Sequence, residues 1–213
     1  MQFLPEEIEQ YAENHSEPEN SVLEALTTET WQKVIMPRML SGHLQGRFLS
    51  MLSHLIRPKL ILEIGTYTGY SALCLAEGLA EGGRLITIDI NDELKAIQDK
   101  FLAQSPQAKN IERLFGNALD IIPELPGEFD MVFIDADKEN YLKYYDMVID
   151  RIKPGGLLIA DNVLWSGKVT KPAAPSDIET RVLQEFNERV TQDPRVQNLL
   201  LPLRDGLMMA RKK

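Results

Sequence analysis

Cysteine is almost missing from this chain: Cys74 is the only one. One thiol excludes an intrachain disulfide framework, and a reducing, cytoplasmic setting is expected. Cys74 falls within the helical pattern 70–76 and reads as a small core residue rather than a nucleophile. Histidine is scarce as well. His15, His43 and His54 lack the spacing of a metal-binding cluster, so each is expected to be structural or at the surface. No apolar run approaches the roughly 18 residues of a membrane span. The opening MQFLPEEIEQ is acidic and has neither the basic n-region nor the apolar stretch of a signal peptide. With 23 lysines and arginines against 32 acids, the chain is a poor non-specific binder of nucleic acid or anionic membrane. Repeats, low-complexity tracts and interdomain linkers are also missing, so a single domain over 1–213 is expected.

What is there begins with helices. Pro5 with Glu6 and Glu7 opens one, 21–35 reads as a second stopped near Pro37, and 45–56 as a third stopped before Pro58. These make an N-terminal helical segment, 1–57, ahead of a core over 58–213. From Lys59 onward, short apolar runs alternate with amphipathic stretches of helical period. The predicted strands are 60–64, 84–89, 111–115, 129–134 and 156–161, and the predicted helices 69–80, 92–104, 118–122 and 140–152. Five strands joined by helical crossovers imply an α/β, doubly wound parallel sheet. The tail differs. After a helix over 176–191, the strands 196–203 and 206–211 are joined by the tight turn Arg204-Asp205-Gly206 and must pair antiparallel.

Two of the parallel strands end in acids. Asp135-Ala136-Asp137-Lys138 follows Met131-Val132-Phe133-Ile134, and Asp161-Asn162 follows Leu157-Leu158-Ile159-Ala160. Ligands of open α/β sheets bind outside the carboxyl ends of the strands. Asp135, Asp161 and Asn162 there form a hard, all-oxygen donor set suited to Mg²⁺ (or Mn²⁺ or Ca²⁺). Lys138, one turn beyond Asp135, is the candidate base. The bland alternative makes Asp161-Asn162 a turn and Asp137 a helix cap.

The first strand enters Gly65-Thr66-Tyr67-Thr68-Gly69-Tyr70-Ser71 and then a helix, a turn at which a ligand can approach the backbone. The second strand ends in Asp89, in the right place to accept hydrogen bonds from ribose hydroxyls. NAD and S-adenosylmethionine both need that acid. Glu63, two residues before Gly65, would repel a pyrophosphate and tolerate a cationic amino-acid end, and the helix lacks the third glycine of the dinucleotide fingerprint. S-adenosylmethionine is the expected cofactor. The third strand leads to Gly116-Asn117-Ala118, a turn fit to flank an adenine beside Asp89, with Asn117 as a helix cap.

The segments EIGTYTGYS (63–71), DADKENY (135–141), DNVLWSG (161–167) and LPLRDGLMMARK (201–212), with Tyr11, His15-Ser16, Met39 and Gly46, resemble the cation-dependent O-methyltransferases, the family of the catechol and caffeoyl-coenzyme A enzymes and many bacterial relatives. The resemblance spans nearly the whole chain. It implies a Rossmann-like seven-stranded methyltransferase sheet, mostly parallel with an antiparallel C-terminal hairpin strand, and a homodimer to which segment 1–57 contributes. It implies Asp135, Asp161 and Asn162 as metal ligands, Lys138 as base and Asp89 on the ribose. Glu63, Gly65, Tyr67, Ser71, Ala118 and Asp135 would line the cofactor, with Met39 over its methionine end. Two segments depart from the family. Where it usually has an acid near Gly46, this chain reads Ser41-Gly42-His43-Leu44-Gln45-Gly46. The arginine and tyrosine positions of the plant coenzyme A-ester enzymes have no match in 169–176.

Three ligands on an octahedral ion leave three positions, and two adjacent ring hydroxyls would fill two of them, so a small catechol-like phenol is the expected acceptor. An alternative acceptor is a hydroxylated uridine in tRNA, met by a local basic rim of Lys168, Lys171, Arg204, Arg211, Lys212 and Lys213. A non-catalytic S-adenosylmethionine-binding protein and an NAD-dependent dehydrogenase rank below both. Trp165 is a substrate wall or a packing residue; the sequence leaves both open.

Overall fold

The computed structural model describes residues 5–213. Residues 1–4 lie outside it, and with them the start of the stretch read for a leader. Seven strands form one sheet, β1 (Leu60–Ile64), β2 (Arg84–Asp89), β3 (Ile111–Phe115), β4 (Phe129–Ile134), β5 (Ile152–Ala160), β6 (Val196–Leu201) and β7 (Leu207–Lys212), in the order β3-β2-β1-β4-β5-β7-β6. The expected mixed sheet is found: β1, β2 and β3 pair in parallel, as do β4 and β5, while β7 runs antiparallel to both β5 and β6. The chain divides into two compact units, one running up to Asn117 and one from Ala118 to Lys213.

The first unit holds α1 (Glu6–Asn14), α2 (Ser21–Lys33), α3 (His43–Ile56), α4 (Tyr70–Ala76) and α5 (Lys95–Leu102) with β1–β3. All five residues of β1 are buried, as a central parallel strand requires. Asn20 caps α2 by accepting from the N–H groups of Val22 (3.1 Å) and Leu23 (3.0 Å). That helix stops two residues short of expectation, because Val34 is already extended ahead of Pro37. Gly46 explains itself through packing: a Cβ there would lie 2.7 Å from Tyr70 Cε1 and 2.9 Å from Cys74 Sγ, so only glycine lets α3 and α4 approach so closely. None of the histidines lies in a metal-binding cluster: each bonds a backbone carbonyl, His15 that of Tyr11, His43 that of Glu17 and His54 that of Ser50.

Cys74 is the core residue expected. It is wholly buried, and desolvation pushes its thiol up to about 12 against the opposing pull of Arg47. The thiol therefore stays protonated at neutral pH, and the sulfur is covered. Thiol titration with a chromogenic disulfide should therefore find no fast-reacting sulfur in the native protein and one in denaturant; rapid native labelling would contradict this packing.

The second unit holds α6 (Ala118–Ile121), α7 (Tyr141–Val148) and α8 (Ile178–Gln192) with β4–β7. Its core includes an aromatic cluster: Phe186 of α8 meets Tyr141 and Tyr145 of α7 edge-on at 5.5 and 6.0 Å. Strand β5 starts four residues earlier than predicted. Pro154-Gly155-Gly156, at the predicted start of the strand, is a bulge inside it, with a register shift between Phe129 and Met131. Strand β6 ends at Leu201, two residues early, because Pro202 has no N–H for a ladder. Among the described residues no helix is long and apolar enough to cross a membrane.

Candidate active site

In the first unit the turn between β1 and α4 supplies the glycine cradle. Gly65 and Gly69 have φ of 101° and 93°, a region that side chains rarely adopt, and between them Tyr67 has φ 50°. A left-handed residue with a side chain costs roughly 1–2 kcal/mol. Tyr67 is therefore held from several sides. Its N–H donates to Asp89 Oδ2 (2.7 Å), its carbonyl accepts from Gln98 Nε2 (2.7 Å), and its hydroxyl donates to the Met36 carbonyl (2.8 Å). Asp89 Oδ1 accepts from Asn91 N–H (2.9 Å), so both carboxylate oxygens are oriented by backbone donors. Each keeps acceptor capacity, which is what a pair of ribose hydroxyls needs.

Glu63 is fully buried in β1 and accepts from Thr87 Oγ1 (2.5 Å), which is itself bonded to Thr66 Oγ1 (2.5 Å). Ser71 lies buried in the first turn of α4. Met39 ends the short 3-10 turn Pro37–Met39 and is 56% exposed, with its segment tied to the glycine turn through Tyr67 and Met36. Thus Glu63, Gly65, Tyr67, Ser71 and Asp89 come together in this unit. Ala118, expected with them, opens α6 at the start of the other unit. Gln98 was missed by sequence reasoning. It is wholly buried in α5, and a buried polar side chain in an amphipathic helix was the available signal.

In the second unit the parallel register sets Ile134 opposite Ala160, so Asp135 and Asp161 leave neighbouring strand ends. Asp161 N–H donates to the Ile134 carbonyl at 2.9 Å. Asp161 is 1% exposed, and its Oδ1 accepts from the N–H of Asn162 (2.6 Å). Asn162 has φ 59°, a conformation that asparagine tolerates better than most residues. Lys138 opens the 3-10 turn Lys138–Asn140 and is 6% exposed. Its Nζ donates to Tyr141 Oη (2.5 Å) and Asp135 Oδ1 (3.3 Å), and it lies 4.6 Å from the Tyr141 ring centroid and 6.0 Å from that of Trp165.

Tyr141 is the second residue missed. Its hydroxyl accepts from Lys138 and donates to the Asp161 carbonyl (2.9 Å), bridging the two strand ends. Burial first, then Asp135, Asp161 and Asp137, push this phenol well above its usual range, so it stays a donor. Asp137 flanks the 3-10 turn without capping it, against the bland reading: its carboxylate accepts from Tyr144 Oη (2.6 Å) and Asn140 Nδ2. Among the described residues no group of three or more His, Cys, Asp or Glu side chains forms a metal cluster, and the candidate donor set is two carboxylates with one amide. These are hard oxygen donors, the type that Mg²⁺, Mn²⁺ and Ca²⁺ accept.

A mostly parallel sheet with an antiparallel C-terminal strand, a glycine turn bonded to an acid at the end of the second strand, and acidic ends on two further strands define the class of S-adenosylmethionine-dependent methyltransferases. Residues 13–213 match the O-methyltransferase family model, and the chain belongs to that family. It is 37% identical over 179 residues to a caffeoyl-CoA O-methyltransferase of Nicotiana tabacum, covering 79% of this chain and 75% of that one. The Petroselinum crispum enzyme of the same name is 38% identical over 179 residues, covering 79% and 74%. Among solved structures, an O-methyltransferase from Bacillus cereus in complex with S-adenosylhomocysteine superposes with a TM-score of 0.89 at 30% identity, over 97% of each chain. TomG from Streptomyces achromogenes, an O-methyltransferase in complex with S-adenosylmethionine, gives 0.90 at 29% identity, over 97% of this chain and 96% of that one. The reaction of this chain is methyl transfer from S-adenosylmethionine to a hydroxyl oxygen, as the cofactor turn predicts; NAD chemistry is set aside.

Proposed function

We propose that this chain is a divalent-cation-dependent O-methyltransferase acting on one hydroxyl of a small catechol-like phenol. The observation that carries the reading is the buried Lys138, bonded to Asp135 and Tyr141 at one strand end, with Asp161 and Asn162 at the neighbouring one. Asp135, Asp161 and Asn162 would hold the cation, which when bound supplies Lewis-acid stabilisation of a phenolate and two positions for a vicinal diol. Lys138 Nζ would receive the hydroxyl proton, as the S–CH₃ bond breaks and the O–CH₃ bond forms. Tyr141 would keep Lys138 on that line, and Asp89 would hold the ribose. The site roles of Glu63, Gly65, Tyr67, Ser71, Ala118 and Met39 belong to the same reading.

The names of the plant relatives support it, since a caffeoyl group carries two adjacent ring hydroxyls. The tRNA reading gains less: in the basic rim proposed for it, Lys168 faces Asp177 (3.5 Å) and Lys212 faces Asp150 (3.3 Å). Met51 and Leu55, one turn apart on α3 and both exposed, support the homodimer. The test is methylation of a catechol panel with and without chelator, followed by mass spectrometry. Activity should vanish in EDTA and return with Mg²⁺. Full activity in chelator, or methylation of bulk tRNA in place of catechols, would overturn the proposal.

A further inference from the structure

After Asn162 the chain enters a strained loop. Trp165, Ser166 and Gly167 are consecutive left-handed residues, with φ of 47°, 54° and 79°. Two of the three carry side chains, at a cost of roughly 1–3 kcal/mol each, so surrounding contacts must fix them. The fixing contacts come from 40 residues away. The β6–β7 turn lends the Asp205 carbonyl to Leu164 N–H (2.9 Å) and the Gly206 carbonyl to Val163 N–H (3.1 Å). The Asp205 carboxylate reaches further and accepts from Ser166 N–H at 2.6 Å. From α8, Asn187 donates to the Val163 carbonyl (2.9 Å) and Gln184 to the carbonyls of Val169 (3.0 Å) and Lys171 (2.7 Å). Of these anchors, Asp205 is the one whose side chain grips inside the left-handed run.

The turn is built for this contact. Arg204 and Gly206 have φ of 50° and 88°, and a Cβ on Gly206 would lie 2.4 Å from Leu164 Cγ. What the grip holds still is Trp165, whose ring centroid lies 6.0 Å from Lys138 Nζ and 5.9 Å from Lys168 Nζ. An indole beside the base limits how a ring bearing the reacting hydroxyl can lie.

We propose that Asp205 is a positioning residue for the acceptor: by bonding Ser166 N–H it locks Trp165 beside Lys138, and so sets which of two adjacent hydroxyls is methylated. This rests on the catechol reading above. The chain has two tryptophans, so Trp31→Phe leaves Trp165 as the sole indole reporter. In that background, Asp205→Ala should shift the emission and increase iodide quenching, while S-adenosylhomocysteine affinity measured by calorimetry is unchanged. With 3,4-dihydroxybenzoate and Mg²⁺, KM should rise roughly tenfold with the loss of one charge-assisted hydrogen bond. The meta-to-para product ratio should move toward one. Asp205→Asn, whose amide oxygen still accepts, should restore both emission and ratio. Should the alanine variant not fold, Asp205→Ser, too short to reach Ser166, serves the same reading. Unchanged emission and product ratio in the alanine or serine variant overturn the proposal. A wild-type chain that methylates no catechol sinks the catechol reading instead, and the positioning role falls with it; the emission of the variants still decides whether Asp205 holds the loop.

Discussion

Replacing Lys138 by alanine should lower kcat on a catechol probe by roughly 10²- to 10⁴-fold, the range that a positioned general base contributes. The expectation follows from burial and wiring. Lys138 is 6% exposed, and its two polar partners, Asp135 and Tyr141, leave it little freedom to serve as a surface charge. The variant should still bind S-adenosylhomocysteine, because the glycine turn and Asp89 belong to other elements. Stability should fall by about 1–3 kcal/mol, since Tyr141 and Asp135 each lose a buried partner. Lys138→Arg should not rescue the rate, because a guanidinium does not give up its proton at ordinary pH. Steady-state kinetics, calorimetry of the cofactor product and denaturant unfolding check these four expectations. A Lys138→Ala rate within tenfold of wild type would remove lysine from the chemistry.

Asp161→Ala should cost about 10³-fold in methylation at millimolar Mg²⁺, the equivalent of several kcal/mol of lost charge stabilisation. Two effects combine. The donor set shrinks to one carboxylate and one amide, and Asn162 loses the carboxylate that accepts its N–H at 2.6 Å. Raising the Mg²⁺ concentration should recover part of the rate by mass action, and an Mg²⁺ titration by calorimetry should show weakened binding without any turnover. The same titration with Asp161→Asn separates charge from shape: the isosteric amide should keep the fold yet bind the ion more weakly than wild type. Equal Mg²⁺ affinity in all three proteins would refute the metal assignment of this strand end.

The strands were legible where burial and length agreed. Strands β1 to β4 have the predicted bounds: β1, β2 and β4 are short, mainly apolar runs, and the edge strand β3 alternates apolar with charged residues before the Gly116 turn. The paired acids could be read for the same reason: strand alternation does not explain a carboxylate directly after four apolar residues. Helix ends were less legible. Helix α4 spans Tyr70–Ala76, four residues short of its predicted end at 80, and nothing in its apolar pattern marks that stop. The early start of β5 was not legible either, because the bulge at Pro154-Gly155-Gly156 is decided by pairing with the partner strand and not by the local residues.

By itself the sequence determined the sheet class and the cofactor, and it singled out Asp135, Asp161, Asn162 and Lys138, the residues proposed as donor set and base, since each is written in residue type and local spacing. Tertiary structure decided what holds those groups in place. Tyr141 joins Lys138 to the Asp161 carbonyl, Gln98 grips the carbonyl of Tyr67, and Asp205 grips the backbone beside Trp165. These contacts span 3 to 39 positions along the chain, and the longest, Asp205 to Ser166, exists because β7 pairs antiparallel with β5 and brings its turn against the loop that follows Asp161. Hydrogen bonds of that kind depend on register and side-chain reach, which no local pattern encodes.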